Sequence, residues 1–262
     1  PTKTLLRTSE LHHMLHRLDE FGLSVSNISI DLSKIIDRSR QVAKQLSTGI
    51  QHLLKKNKVS VFEAHGQLLS PTLIDLKGAD NLSKGQLKAK NIILATGARA
   101  RTLPGIEADG DKIWTYKEAM MPKKLPKSIV VIGSGAIGIE FASFYNDLGV
   151  KVEIVEALDR IVPGEDAEIS ELALKLFQKQ GIKNHTSSKV LKVKKSATDV
   201  DVFYETAGKT HSIKADVVIL AIGIVANSEH LGLDQTKIKT DKNNIVVNSF
   251  LQTTEPNIYA IG

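Results

Sequence analysis

No cysteine occurs in the 262 residues, so neither a structural disulfide nor thiolate chemistry can arise within this chain. Aromatic residues make up only 5%. They do not interleave with the basic clusters Lys55-Lys56, Lys123-Lys124 and Lys194-Lys195, so stacking on nucleic acid has little support. No apolar run approaches the roughly 20 residues that a helix needs to cross a bilayer. Neither nucleic acid nor a membrane is an expected partner. The opening Pro1-Thr2-Lys3 is no signal peptide and no initiator methionine, and Ile258 to Gly262 stops inside an apolar strand. Both ends are therefore expected to be cuts in a longer polypeptide. What is present is the balance of a globular chain, 42% hydrophobic and 24% charged, long enough for two modest cores. The formal charge of +6, from 35 basic against 29 acidic residues, reads as a solvated surface and also suits an anionic cofactor.

The densest information lies between Ser128 and Glu156. Ile129 to Ile132 is a continuous β-branched run of the kind that fills a buried parallel strand. Gly133, Gly135 and Gly138 follow at G-x-G-x-x-G spacing, bracketing Ser134, Ala136 and Ile137, and lead into a helical apolar pattern that Gly149 ends. Lys151 to Val155 is a second strand, with Glu156 at its carboxyl end. Strand, turn, helix, strand and acid in this order define a dinucleotide site more specifically than the glycines alone. Gly133 permits a tight turn, Gly135 lets a pyrophosphate meet bare backbone, and Gly138 lets the helix approach its strand. The helix amino terminus offers free N–H groups to the phosphates. Glu156 is expected to accept hydrogen bonds from both adenosine ribose hydroxyls and to repel a 2′-phosphate, which favours NAD over NADP.

Around this unit the pattern predicts a helix over Thr8 to Arg17 capped by Ser9, and a long amphipathic helix from Asp31 or Ser33 to Lys55. The apolar stripe of the long helix, including Leu46, Ile50 and Leu53, is expected to face a core rather than a partner. Short strands are predicted at Val59 to Glu63, Gln67 to Leu69, Thr72 to Leu76 and Asn91 to Ala95, with a turn-rich Lys77 to Lys84. Beyond Glu156 come a helix from Asp166 to Gln180 and three strands near Lys189 to Lys194, Asp199 to Glu205 and His211 to Lys214. Asp216 to Ala221 follows as a buried strand, with strand character again at Ile245 to Val247 and Ile258 to Ala260. The fold class is α/β: a Rossmann-like NAD-binding domain, 111–235, inserted between 1–110 and a return segment 236–262, which by resemblance to flavoproteins would be the remainder of an FAD-binding Rossmann-like domain.

With these residues in view the chain resembles the flavin disulfide reductases, on the branch that oxidises dihydrolipoamide. Pro1-Thr2-Lys3 looks like the residues just after that family's redox-active Cys-x4-Cys. Ile93 to Gly97 looks like its strand and Ala-Thr-Gly turn beside the flavin, and Gly133 to Glu140 is similar to its G-x-G-x-x-G-x-E. Ala221-Ile222-Gly223 matches a nicotinamide-side loop, and Ala260-Ile261-Gly262 matches a Gly-Asp flavin motif short of its aspartate. The resemblance implies FAD contacts at Lys3, Gly66, Ala95, Thr96 and Gly97, and NAD contacts that include Val190, Ala221, Ile222, Gly223 and Ile224. It implies a flavin-adjacent ion pair between Lys3 and Glu140. For the intact parent it implies a homodimer in which dihydrolipoamide, carried on the acyltransferase of a 2-oxo acid dehydrogenase complex, reduces a disulfide. The electrons then pass through FAD to NAD. Within the family, Glu156 followed by Ala157 to Gly164 resembles the lipoamide-oxidising members rather than NADPH-linked glutathione or mercuric reductases. Departures are Ile224 where an arginine is expected, Ala226 where a proline is expected, and the lack of both redox cysteines and of a carboxy-terminal domain with its His-Glu base. No catalytic residue is therefore expected inside the chain, which alone should be inactive. The location implied is cytoplasmic in a bacterium and the mitochondrial matrix in a eukaryote.

Other constellations have plainer readings. His12 and His16 stand at i,i+4, a zinc-ligand spacing, but no third ligand lies near in sequence, so both read as surface histidines and no metal is expected. His65 is incidental to the glycine beside it, and Ser134 lacks a local base for a nucleophilic role. Two rival classes stay open: a nucleotide-binding or complex-tethering module without catalysis, and a related reductase acting on glutathione-like or metal substrates.

Overall fold

A computed structural model describes residues 1–262. The chain divides into two compact units, one of Pro1–Gly49 with Ala100–Gly223 and one of Ile50–Arg99 with Ile224–Gly262. The segmentation expected at 110 and 235 does not coincide with these boundaries. Part of the reason is the first helix, whose Leu5 and Leu6 join the core of the first unit.

That unit is built on a five-stranded sheet in the order Ile113–Trp114, Val217–Leu220, Ser128–Ile132, Lys151–Val155, Lys183–His185. Every neighbouring pair in it is parallel. Successive side chains of a strand point to opposite faces, and here both faces are covered. Ile129, Val131, Val152, Ile154 and Ile219 pack with Phe141, Phe144 and Tyr145 of the helix Ala136–Asp147. Val130, Ile132, Val155, Val218 and Leu220 pack instead with Val200, Val202 and Tyr204. This is why the strands read as unbroken apolar runs. The second layer comes from an antiparallel meander, Ser188–Lys195, Val200–Thr206 and Lys209–Ala215, as the three predicted strands anticipated. The helix Ala167–Lys179 is capped by Asp166, whose side chain accepts from the Glu168 amide.

The first helix differs from expectation. It runs Thr2–Leu15, and Ser9 is no cap but lies inside it, fully buried, with Oγ donating to the Leu6 carbonyl and to Asp147. Burial of Leu5 extends the helix toward Pro1 beyond the predicted start. The long helix, Leu32–Lys56, forms as predicted, and its Lys34 amide is held by Asp31. Its apolar stripe is covered only in part: Ile35 packs on the core of the first unit, whereas Leu46 is 62% and Ile50 59% exposed.

Asp109 fixes the entry to the edge strand. One of its oxygens accepts the amides of Asp111, Lys112 and Ile113, and the other lies 3.0 Å from the Lys195 ammonium. Partial burial pushes this carboxyl up, but the three amides and the ammonium outweigh it and hold it well below the usual carboxylate range. A depressed carboxyl stabilises above its unfolded value and loses that contribution as pH falls toward the folded value. Asp109→Ala is therefore expected to cost about 1–3 kcal/mol at neutral pH. The difference from the unmodified protein should shrink in denaturant titrations carried below about pH 4; a gap that stays constant there would contradict the assignment.

The second unit carries a three-stranded antiparallel sheet, His65–Ser70, Leu73–Lys77 and Ser83–Lys88, and a parallel pair, Ile92–Leu94 with Ile258–Ala260. Leu68, Ile92, Leu94 and Ile258 form its core. Gly232 sits against the Leu68 carbonyl, which a Cβ would strike. One prediction fails here and another holds only in part. Val59 to Glu63 is not a strand, since no neighbour pairs with it. The segment read as turn-rich includes the start of the strand Ser83–Lys88, where Ser83 Oγ donates to buried Asp75 at 2.6 Å.

Candidate functional site

The site grows from the carboxyl ends of two adjacent parallel strands. After Ser128–Ile132 the chain crosses to Lys151–Val155 on one side, and it returns as Val217–Leu220 on the other. Such a switch point opens a crevice outside the strand ends. Gly133 leaves the strand with φ +96°, its amide donating to the Val155 carbonyl. A Cβ on it would lie 2.5 Å from the Ala221 oxygen. The Ala221–Gly223 loop is held in turn by the Ala221 amide on Ile132 and by Arg101, whose amide donates to the Gly223 carbonyl. Two motifs distant in sequence thus meet, because their strands are hydrogen-bonded neighbours.

The three glycines have separable roles. Gly135 is the N-cap of the helix Ala136–Asp147, and no heavy atom lies within 4 Å of a Cβ built there. No side chain caps this helix, so the first-turn amides, which have no intrahelical acceptor, face a space bare of side chain. A pyrophosphate fits that cradle, with Gly135 to Gly138 as its backbone wall; Ser134, expected among the contacts, is fully buried with its amide on Glu156 and does not line it. Gly138 is different, because a Cβ there would collide with the Gly133 carbonyl and touch Ala221 at 3.3 Å for its Cβ.

Glu156 is where the expectation changes. It is buried, and its carboxylate is engaged by its own chain: Oε2 accepts the Ser134 amide at 2.8 Å and the Ser134 hydroxyl at 2.7 Å, while Oε1 accepts the Leu158 amide at 2.8 Å. It is thus not free to receive both ribose hydroxyls in this arrangement. Spacing placed the acid correctly; the bond to Ser134 had no sequence signal beyond a hydroxyl residue inside the glycine motif.

The remaining predicted residues are dispersed. Val190 lies on the meander and packs against the second core layer. Ile224 opens a short exposed-edged strand in the other unit. Lys3 is exposed on the first helix and Glu140 half-buried on the glycine-loop helix; no ion pair joins them. In the second unit Ala95, Thr96 and Gly97 are exposed, and Asn227 braces their turn, its amide donating to the Gly97 carbonyl and its side chain to the Thr96 carbonyl. The parallel pairing sets Ile261 beside this turn, its amide on the Leu94 carbonyl. Both flavin-like motifs therefore leave the same strand end, and an exposed backbone of this kind fits a flavin contact. Gly66 imposes less, as a Cβ there would make an ordinary 3.4 Å contact with Ile74.

His16 is an exposed residue as expected, its Nδ1 donating to the His12 carbonyl, but His12 is more engaged. His12 Nδ1 donates to the Asp147 carbonyl at the end of the glycine-loop helix, and His13 lies 3.6 Å from the Asp147 carboxylate. Burial pushes that carboxyl up. A second cluster escaped the sequence reading: His185 joins Glu153 at 3.0 Å and Tyr204 at 3.2 Å. Burial pushes the Glu153 carboxyl up, but His185 and the flanking Lys183 and Lys151 outweigh it and hold it below its ordinary range.

Comparison with known proteins agrees with this geometry. The dihydrolipoyl dehydrogenase of Rhizobium etli is 43% identical over 277 residues, covering 100% of this chain and 58% of that protein. That of Zymomonas mobilis is 45% identical over 265 residues, covering 100% of this chain and 56% of its own length. The crystal structure of LpdA from Mycobacterium tuberculosis superposes with a TM-score of 0.90 at 29% identity, over 100% of this chain and 57% of that one. The chain thus spans a little over half the length of the curated relatives it matches. The sequence profile of the pyridine nucleotide-disulphide oxidoreductases matches residues 1–262. A glycine loop at a switch point, a buried acid closing the next strand and a match over the whole chain lead to one assignment: this chain belongs to the pyridine nucleotide-disulphide oxidoreductase family.

Proposed function

We propose that the full-length protein is an NAD-linked flavoprotein that oxidises protein-bound dihydrolipoamide. The observation that carries this reading is the open N-cap at Gly135 beside a buried Glu156, in a chain resembling relatives named dihydrolipoyl dehydrogenase. Gly135 to Gly138 would hold the NAD pyrophosphate against backbone, Glu156 would meet the adenosine ribose, and Ala221 to Gly223 would line the nicotinamide side. Thr96 and Gly97, braced by Asn227, would hold the flavin in the second unit. When bound, FAD and NAD supply the redox chemistry, a hydride passing between them. The chain's own residues orient these groups. The dithiol that meets the substrate must come from outside this cysteine-free chain, which alone is accordingly inactive. An acyltransferase component of a 2-oxo acid dehydrogenase complex is the proposed carrier of the substrate, and a homodimer the proposed assembly.

The test is direct. Purified full-length protein should show flavin absorbance, form NADH with dihydrolipoamide and bind NADH far more tightly than NADPH. Glu156→Ala should narrow that cofactor ratio by about tenfold, the equivalent of roughly 1.4 kcal/mol. Equal use of NADPH by the unmodified protein, or no turnover of dihydrolipoamide, would overturn the reading.

A further inference from the structure

Ser134 is fully buried, and each of its polar atoms is engaged. Its amide and hydroxyl both donate to Glu156 Oε2, and its carbonyl accepts the Val162 amide at 3.0 Å. One residue of the glycine loop thereby ties together the acid and the segment that follows it. The backbone of Glu156 is fixed as well, its amide on the His185 carbonyl and its carbonyl accepting the Ser188 amide, both at 2.8 Å. An ionised carboxyl has about four acceptor positions. Ser134 fills two on Oε2 and Leu158 one on Oε1. A single position remains, on Oε1.

From this we infer that Ser134 is a specificity-determining positioning residue, which locks Glu156 so that one acceptor position on Oε1 meets one ribose hydroxyl and a fixed charge confronts any 2′-phosphate. This inference rests on the reading of the loop as an NAD site. A glutamate on a free side chain can swing aside and admit a bulky anion, whereas one held by two donors on the same oxygen cannot move without leaving a buried hydroxyl and a buried amide unpaired. Selectivity here is partly a built obstacle to the wrong cofactor. Preorganisation of the carboxylate also favours the right one, because little side-chain freedom is lost on binding. The serine itself is too buried to touch the ligand, so it acts through Glu156.

The experiment measures NADH and NADPH dissociation constants, FAD content and thermal midpoint in full-length protein carrying Ser134→Ala, Glu156→Ala or both. Ser134→Ala should lower the NADH-over-NADPH preference about fivefold to twentyfold, chiefly by tighter NADPH binding, with FAD retained. In the Glu156→Ala background the serine change should move the ratio less than twofold, since its partner is gone. Should the alanine variant be insoluble, Ser134→Cys, close in volume with a weak donor, gives the same reading. A ratio unmoved by loss of the hydroxyl, whatever happens to the thermal midpoint, would show a purely structural tie and overturn the inference while leaving the NAD site standing. A ratio that Glu156→Ala also fails to move would overturn the ribose role of Glu156, and the inference with it. Failure of the unmodified protein to bind NADH would overturn the NAD site itself.

Discussion

Gly138→Ala is expected to destabilise the parallel-sheet unit by about 3 kcal/mol, the upper end for an overpacked core. The added methyl group has nowhere to go. It would strike the carbonyl of Gly133, which is backbone, and press on Ala221 Cβ at 3.3 Å. Gly133 cannot yield easily, because its amide is bonded to Val155 and its own Cβ direction is closed by the Ala221 carbonyl. Relief must come from lifting the helix Ala136–Asp147 off its strand, which opens the contacts of Phe141, Phe144 and Tyr145 in the core. Denaturant or thermal unfolding of the variant measures the loss; a midpoint equal to that of the unmodified protein would show that the helix does not approach its strand as described.

Gly135→Ala should do the opposite. Its φ of −67° suits any residue, and nothing lies within 4 Å of the new Cβ. Replacing glycine stiffens the unfolded chain by about 0.4–1 kcal/mol, and alanine is a poorer N-cap than glycine by a similar amount. The two terms nearly cancel, so the thermal midpoint should stay where it is. The methyl group instead occupies the space that a pyrophosphate needs, and the NAD dissociation constant is expected to rise by about 100-fold, roughly 2.7 kcal/mol. FAD content should not change. Calorimetry and flavin spectra on the full-length variant decide the matter: loss of FAD with NAD binding intact would mean that this loop holds the flavin. Two alanines in one six-residue motif thus separate folding from binding.

The sequence was most legible where one short segment carries its own context. Ser128 to Glu156 announced its strand, turn, helix and second strand because each is a local pattern, and both faces of the strands are buried in a way that apolar runs record. The meander after Glu156 was legible from local alternation instead, its middle strand burying every second residue from Val200 to Tyr204. Errors arose where a partner decides. Val59 to Glu63 has strand composition but no neighbour to pair with, and Leu46 and Ile50 have helical periodicity but no surface to cover them. The helix start was misplaced because Ser9 looks like a cap, whereas burial of Leu5 carries the helix past it.

Within the site the division is sharper. The residue sequence by itself determined the glycine spacing, the acid at the end of the second strand and the absence of any dithiol, since these depend on which residues are present and how far apart they lie. Only the tertiary structure decided that Ala221 closes over Gly133, that Asn227 braces Thr96 and Gly97, and that Glu156 is held by Ser134. The physical reason is that hydrogen-bond partners of a buried carboxylate or a turn carbonyl are chosen by which strands pair and which loops then meet, and no periodicity along the chain encodes that choice.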